Sequence, residues 1–245
     1  MGHRLADLTW LEAERLLTPG RLVLLPLGAA AKEHGPHLRL DTDRVLAEAL
    51  AERVAVQSDV VVAPTLTYHY YPAFIEYPGS TTLRLETARD LTVDVVTSLA
   101  EHGPQRFYVL NTGLSTVEPL RAAAAVLRDA NVLLHFTDFS KVLAPLAKAL
   151  AQQQRGSHAD EVETSMLLHL APERVNLAKA VRDDHPKAAG GLVRDASRPG
   201  TFSPTGTWGD PTLATPEKGR RFVDAVVEGV LADLAALQAA PLPRG

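Results

Sequence analysis

The sequence of 245 residues contains no cysteine, which excludes disulfide bonds, thiolate metal sites and a cysteine nucleophile. It also lacks any run of about 20 apolar residues, the length that a membrane-spanning helix requires. Residues 1–17 carry scattered charges and no apolar stretch typical of a signal peptide. We therefore expect a cytoplasmic protein without a membrane partner, in which any metal is held by histidine, carboxylate or water.

An excess of basic charge is also absent. The 25 Lys and Arg residues are outnumbered by 29 Asp and Glu residues, which gives a net charge of -4, and they are spread along the chain. Nucleic-acid-binding proteins usually carry a basic patch, so we expect no nucleic-acid partner. The sequence contains no dinucleotide fingerprint, no phosphate-binding loop and no Gly-x-Ser-x-Gly elbow. These absences argue against nucleotide-binding proteins and serine hydrolases.

Apolar runs of strand length alternate with longer segments of helical period. The strand-like runs are residues 21–27, 60–63, 106–111 and 131–136, and the helical segments are 43–54, 85–101, 117–130, 139–153, 161–170 and 216–237. This alternation is typical of an α/β fold with a mainly parallel sheet covered by helices on both faces. We see no low-complexity linker, so we expect a single domain over residues 1–245.

The loop after the first predicted strand holds the densest group of chemically active side chains. Residues 28–43 read GAAAKEHGPHLRLDTD, with two histidines, one glutamate and two aspartates around a Gly-Pro pair. Ligands of parallel α/β sheets bind in the loops at the carboxyl ends of the strands. Divalent metals accept imidazole and carboxylate ligands when thiolate is absent. Composition alone leaves two interpretations open, a metal or catalytic site and a solvated polar loop.

The segment His34–Asp43 resembles the signature of the creatininase family, in which His-Gly-Pro-His-Leu precedes a Thr-Asp pair. Residues 158–165 (HADEVETS) and 209–215 (GDPTLAT) are similar to later elements of that family, in the same order. The resemblance implies the family's α/β fold and a homo-oligomeric, often hexameric, amidohydrolase. It also implies a small-molecule substrate with a cyclic amide or another non-peptide C–N bond, and two bridged divalent ions.

The resemblance also implies roles for individual residues. His34 and Asp43 match metal ligands of the family, and Glu33 beside them is a candidate ligand and catalytic carboxylate. His158 and Glu163 match the histidine and the acid that act on the substrate and the leaving group. Zn, Mn and Fe all accept such donors, and we predict one divalent ion per chain.

Three positions depart from the family's ligand pattern. Lys32 stands where the family has a glutamate, and Gly113 and Ser115 stand where it has a histidine and a glutamate. Three interpretations follow: a rearranged site with one metal ion, a metal-free enzyme in which Lys32 replaces a cation, and a catalytically inactive binding or assembly subunit. We take the first as the main prediction and include Lys32 among the candidate catalytic residues.

Four further residues are predicted to bind substrate. Tyr77 and Ser80 lie in a tyrosine-rich loop after the second predicted strand, and Ser115 follows the third. Trp208 lies in the Gly- and Pro-rich stretch 190–211, which we predict to be a lid or an oligomer arm. Aromatic side chains with a polar tip suit a small polar substrate or an oligomer contact equally well.

Overall fold

The computed structural model describes residues 2–243, in which five strands form one parallel sheet. The strands are β1 (His3–Arg4), β2 (Leu22–Leu27), β3 (Val61–Val62), β4 (Arg106–Asn111) and β5 (Leu133–Phe136). Their order across the sheet is β1-β3-β2-β4-β5, and every neighbouring pair is parallel. Two further short strands, β6 (Leu192–Val193) and β7 (Thr201–Phe202), form a separate parallel pair.

Seven α-helices accompany these strands in the described part of the chain. They are α1 (Trp10–Leu16), α2 (Thr42–Gln57), α3 (Leu85–Ala100), α4 (Val117–Asp129), α5 (Phe139–Leu150), α6 (Glu161–Leu170) and α7 (Pro216–Ala239). The side chain of Asp160 caps α6, and Thr215 caps α7 ahead of a proline at its first position. None of these helices is long and apolar enough to cross a membrane.

The central strands place their side chains in two separate hydrophobic cores. Leu22 and Leu24 of β2 pack with α2, α6 and α7 on one face of the sheet. Val23, Leu25 and Leu27 pack with α1, α3 and α4 on the other face. A strand buried on both faces is expected to be apolar throughout, as β2 is. The predicted mainly parallel sheet with helices on both faces is confirmed.

The topology leaves a crevice between the carboxyl ends of β2 and β4. These strands are neighbours, but the helix after β2 packs in one core and the helix after β4 packs in the other. The loops 28–41 and 112–116 therefore diverge from the sheet edge, which is where ligands of such folds bind.

Two N-terminal elements are not indicated by the sequence pattern. β1 has only two residues, and its position is determined by pairing with β3 at the edge of the sheet. α1 buries none of its residues fully, although Ala13 and Leu16 pack against one core, and it begins with a capping box formed by Thr9 and Glu12.

Candidate active site

Two glycines shape the loop 28–41 and bring His34 to Asp43. A Cβ at Gly28 would collide with the carbonyl oxygen of Asp43, so the absence of a side chain lets the start of α2 pack against the end of β2. Gly35 has φ of 65°, in the left-handed region that glycine adopts without steric cost. The loop therefore folds back over the carboxyl end of β2.

Asp43 lies between two basic side chains. Its Oδ2 is 2.7 Å from Lys32 Nζ, and its Oδ1 is 2.9 Å from His34 Nε2. All three side chains are buried. Burial by itself would raise the pKa of Asp43, but the charges of Lys32 and His34 hold it well below its usual range. Burial also opposes protonation of His34, and the neighbouring carboxylates outweigh this effect and raise the pKa of the imidazole.

The hydrogen bonds of His34 define which nitrogen faces the site. Nδ1 is 2.9 Å from the carbonyl oxygen of Lys32, which can only accept, so Nδ1 donates. Nε2 then faces Asp43 Oδ1 at 2.9 Å and Glu163 Oε1 at 3.6 Å. A nitrogen lone pair directed at carboxylate oxygens requires a proton or a metal ion between them.

His158 is held by Glu33. Its Nε2 is 2.7 Å from Glu33 Oε1 and 3.0 Å from the Glu33 carbonyl oxygen, so Nε2–H donates to this residue and Nδ1 is left as the proton-accepting nitrogen. Glu33 is fixed in turn, since its Oε2 accepts the Gly35 N–H and its own N–H donates to Ser80 Oγ, both at 2.9 Å. Burial would raise the pKa of Glu33, but His158 and the Gly35 amide lower it.

The turn into α6 places Glu163 beside His34. Ala159 has φ of 47°, a strained conformation for a residue with a side chain, which costs of order 1–3 kcal/mol. Its N–H donates to Glu163 Oε2 at 2.7 Å. The carboxylate of Asp160 accepts the N–H groups of Val162 and Glu163 at 3.0 Å, and burial raises its pKa to about 6. The helix therefore begins with its acidic side chains fixed.

The donor set fits one divalent ion. Among the described residues, ligand atoms of His34, His158 and Glu163 all lie within 4.8 Å of one another, with Asp43 next to His34. Imidazole and carboxylate are ligands that Zn and Mn accept, and a site with few protein ligands keeps a position open for water. The carboxylate oxygens of Asp43 and Glu163 that face His34 Nε2 are the feature of the structure that either a proton or such a cation would satisfy.

The same residues do not fit a second ion. The ammonium group of Lys32 lies against Asp43, and Gly113 offers no side chain. A Cβ at Gly113 would lie 3.0 Å from Thr116 Oγ1, which is tight, so the loop is shaped around a glycine. Ser115 Oγ donates to the carbonyl oxygen of Tyr70 at 3.0 Å. Lys32 therefore supplies a positive charge where further metal ligands are missing.

A cavity of about 230 Å³ adjoins this cluster. Lys32, His158 and Glu163 contribute to its wall, and so do Ser115 and Trp208, two of the residues predicted to bind substrate. These five are half of the ten predicted site residues. Its volume suits a small molecule rather than a folded protein segment.

The other two predicted substrate-binding residues are placed behind the wall of this cavity. The hydroxyl of Tyr77 donates to the carbonyl oxygen of Ser203 at 2.7 Å, and Ser80 Oγ accepts from the N–H of Glu33. In the described structure both side chains bond to loops that surround the site and neither lines the cavity. Their position indicates support of the site rather than contact with substrate.

Two residues at the site carry no clear sequence signal. The ring of Phe74 lies 4.6 Å from Lys32 Nζ and 4.4 Å from the His158 ring, measured to ring centroids, and so covers both side chains. Lys187 Nζ lies 5.4 Å from the centroid of Trp208 and lines the cavity. Phe74 belongs to the tyrosine-rich loop, which gives a weak signal, whereas Lys187 is one dispersed lysine among many.

The sequence is similar to several known hydrolases. Residues 6–234 match the family model of creatininase, described as creatinine amidohydrolase. A creatinine amidohydrolase from Pseudomonas putida is 31% identical, over an alignment that covers 91% of this chain and 93% of that protein. A mycofactocin precursor peptide peptidase from Mycolicibacterium smegmatis is 33% identical, covering 85% and 82%. A 3-dehydro-scyllo-inosose hydrolase from Thermotoga maritima is 28% identical, covering 84% and 74%.

Solved structures share the same fold. A structure named creatininase Mn aligns with a TM-score of 0.79 at 26% identity, covering 98% of this chain and 100% of that chain. A mutant creatininase of the Zn-Zn type aligns with a TM-score of 0.80 at 25% identity, covering 97% and 98%. The similarity therefore extends over essentially the whole of both chains.

Proposed function

The chain belongs to the creatininase family of hydrolases, and we propose that it is a metal-dependent amidohydrolase acting on a small cyclic amide or another non-peptide C–N bond. The observation that carries this proposal is the position of His34 Nε2, which faces carboxylate oxygens of Asp43 and Glu163 with His158 in reach. Structural relatives named for their Zn-Zn and Mn forms support a divalent ion.

In this proposal His34, Asp43 and Glu163 hold the ion, whereas His158, the remaining member of the cluster, does not bind it and acts as the base. A bound divalent ion supplies polarisation of a carbonyl oxygen and eases the deprotonation of water. One ion per chain, Zn or Mn, with Fe as a third candidate, matches the donors present. We further propose a cytoplasmic homo-oligomer, with a hexamer as the expectation from the family resemblance.

The proton transfers of the reaction are assigned to His158. Hydrolysis adds the oxygen of water to the amide carbonyl carbon, breaks the C–N bond and delivers a proton to the departing nitrogen. Glu33 accepts the Nε2–H of His158, so Nδ1 takes the proton from water and returns it to the nitrogen. The buried contact with Glu33 keeps the ring in one orientation, which this transfer requires.

Lys32 has an electrostatic role in the proposal. Its ammonium group lies 2.7 Å from Asp43 Oδ2, and the face of Phe74 covers it. A positive charge at this point offsets the carboxylates that crowd the site, so that a single ion suffices. It also lines the cavity, where it can stabilise the negative charge that develops on the carbonyl oxygen of a substrate.

The contact between Lys32 and Asp43 also supports a second candidate function. Because Lys32 already places a cation against Asp43, the site is also suited to a metal-free hydrolase that uses His158 as the base and Lys32 as the electrostatic group. A catalytically inactive binding or assembly subunit is the third interpretation, and it predicts neither metal nor turnover.

Elemental analysis combined with an amide hydrolysis assay tests these proposals. Protein purified without chelator is compared with His34→Ala and Glu163→Gln, and with His135→Ala as the control, because His135 is exposed and distant in sequence from the cluster. We expect about one equivalent of metal in the wild type and in the control, and less than about 0.2 equivalents in both site variants.

Creatinine and other small cyclic amides are the first substrates for this assay. Hydrolysis that is lost on chelation and restored by Zn or Mn supports the metallohydrolase. Hydrolysis by metal-free protein favours the Lys32 mechanism, and folded protein with neither metal nor turnover contradicts both enzymatic proposals.

A further inference from the structure

A second cavity, of about 240 Å³, shares a wall with the first. It lies between α5, α6 and the loop that follows β4. Four residues line both cavities, namely Thr112, Leu114, Ser157 and Glu163. The two cavities are therefore adjacent, with Glu163 bordering both, and we treat them as two halves of one cleft.

The second half of the cleft is largely apolar. Its wall contains Phe139, Leu143, Ala144 and Ala147 of α5 and Met166 of α6. The first half carries the ionisable side chains Lys32, His158 and Glu163 beside apolar residues that include Phe74, Leu192 and Trp208. A cleft of this kind binds a molecule that has a polar reacting group at one end and an apolar group at the other.

The wall of the apolar half also contains a buried acid, Asp160, whose hydrogen bonds are made within the protein. Asp160 lines the apolar half, but its carboxylate accepts the N–H groups of Val162 and Glu163 and the side-chain amide of Gln153. The side-chain oxygen Oε1 of Gln153 accepts the backbone N–H groups of Glu161 and Asp210. These hydrogen bonds engage the polar atoms of Asp160 and Gln153 within the protein.

Leu114 marks the boundary between the two halves. It lies in the loop after β4 and is 50% exposed, although it is a large apolar residue. A substrate that spans both halves would cover Leu114 and remove its surface from water.

We infer that the apolar half of the cleft is a substrate subsite, and that the enzyme prefers amides carrying a branched or aromatic substituent next to the C–N bond. The inference rests on the proposed function for the reacting end. Cavities of about 150 Å³ accommodate a benzene ring, so a space of about 240 Å³ has room for a benzyl or isobutyl group.

Two series of amides that differ only in the substituent test this inference. The acyl series is acetamide, 3-methylbutanamide and 2-phenylacetamide, and the amino series is N-methylformamide and N-benzylformamide. We expect kcat/KM of the wild type to rise at least about tenfold from methyl to benzyl or isobutyl in one series.

Variants that fill the cavity identify where the preference arises. Ala144→Phe and Ala147→Phe each place a ring in the apolar half, and Ala235→Phe, on the exposed face of α7, is the matched control. We expect the preference to fall to about threefold or less in a folded cavity variant and to persist in the control. A preference that survives in both cavity variants overturns the inference.

Binding of the products separates this inference from the proposed function. Calorimetry compares phenylacetate with acetate and benzylamine with methylamine, for the wild type and Ala144→Phe. At least about tenfold tighter binding of one aromatic product, lost in the variant, supports the subsite even if no amide is hydrolysed, which would contradict the proposed function alone. Hydrolysis without any preference for the larger group, together with equal product binding, overturns the subsite and leaves the proposed function standing.

Discussion

Lys32 Nζ and Asp43 Oδ2 form an ion pair 2.7 Å long in which both partners are buried, with side chains 6% and 1% exposed. Asp43 also contacts His34, so its carboxylate is balanced from both sides. A buried charge that loses its partner is strongly unfavourable, whereas the intact pair contributes much less to stability than this penalty suggests. The pair therefore determines how the loop tolerates substitution.

We predict that Lys32→Met lowers the free energy of unfolding by about 3–5 kcal/mol. The reason is that the substitution leaves Asp43 buried beside a single cation. Urea denaturation at neutral pH measures the effect, and Lys148→Met is the control because Lys148 is exposed on α5. The double variant Lys32→Met with Asp43→Asn should lose less than the sum of the single losses. A loss below about 1 kcal/mol for Lys32→Met would show that the pair does not form.

Glu33 and His158 give a second prediction. Because Glu33 orients His158, we predict that Glu33→Gln lowers kcat by about 10- to 100-fold with little change in KM. Metal content should stay at the wild-type value, since the Glu33 carboxylate bonds to His158 and to the Gly35 amide. Elemental analysis and steady-state kinetics on the same preparation check both statements. Loss of the metal in Glu33→Gln would instead identify Glu33 as a ligand.

Sequence patterns predicted most of the fold. β2 and β4 are apolar through nearly their whole length because both faces of the sheet are covered, and the predicted bounds of these strands agree with the structure to one residue. The family inferred from the segment His34–Asp43 and the two later segments is confirmed by the match over residues 6–234. β1 was not predicted because its two residues are placed by pairing at a sheet edge, and α1 was not predicted although Thr9 and Glu12 form a capping box at its start.

The site was only partly accessible from sequence. His34 lies in the loop before α2 and Asp43 in the first turn of α2, nine residues apart, so their proximity follows from local spacing. Glu33 and His158 are 125 residues apart, and their contact depends on how α6 packs against the sheet. The apolar half of the cleft lies between α5 and α6, and no sequence spacing reveals such a space. Long-range packing of helices therefore decides the parts of the site that sequence patterns cannot give.

His69 gives a prediction for pH dependence outside the catalytic cluster. Its Nε2 donates to Thr92 Oγ1 at 3.1 Å, because the Thr92 hydroxyl itself donates to the Ala88 carbonyl oxygen. Its Nδ1 is buried and has no hydrogen-bond partner in the described structure. Burial lowers the pKa of His69 to about 4, whereas an unfolded chain has a histidine pKa of about 6.5. The folded protein therefore holds this ring in the neutral form.

The direction in which pH changes the stability follows from the lowered pKa of His69. Below about pH 6.5 His69 is protonated in the unfolded chain but stays neutral in the folded protein. The free energy of unfolding therefore falls as the pH decreases towards 4. The loss attributable to this residue is at most about 3 kcal/mol. Urea denaturation from pH 7.5 to 4.5 should show a shallower decline for His69→Phe than for the wild type. The exposed-site variant His135→Gln should keep the wild-type slope, and an equal slope in His69→Phe would contradict the prediction.

Gly206 provides a test of how precisely Glu33 must be placed. Gly206 has φ of 82°, and a Cβ at this position would collide with Glu33 Oε2. We predict that Gly206→Ala costs about 1–2 kcal/mol of stability for the backbone conformation and lowers kcat at least about tenfold, because Glu33 and with it His158 must shift. Gly20→Ala is the control, since a Cβ at Gly20 meets no atom within 4 Å. Unfolding measurements and kinetics on both variants separate the two effects. If Gly206→Ala loses stability but retains full kcat, catalysis does not depend on the orientation that Glu33 imposes on His158.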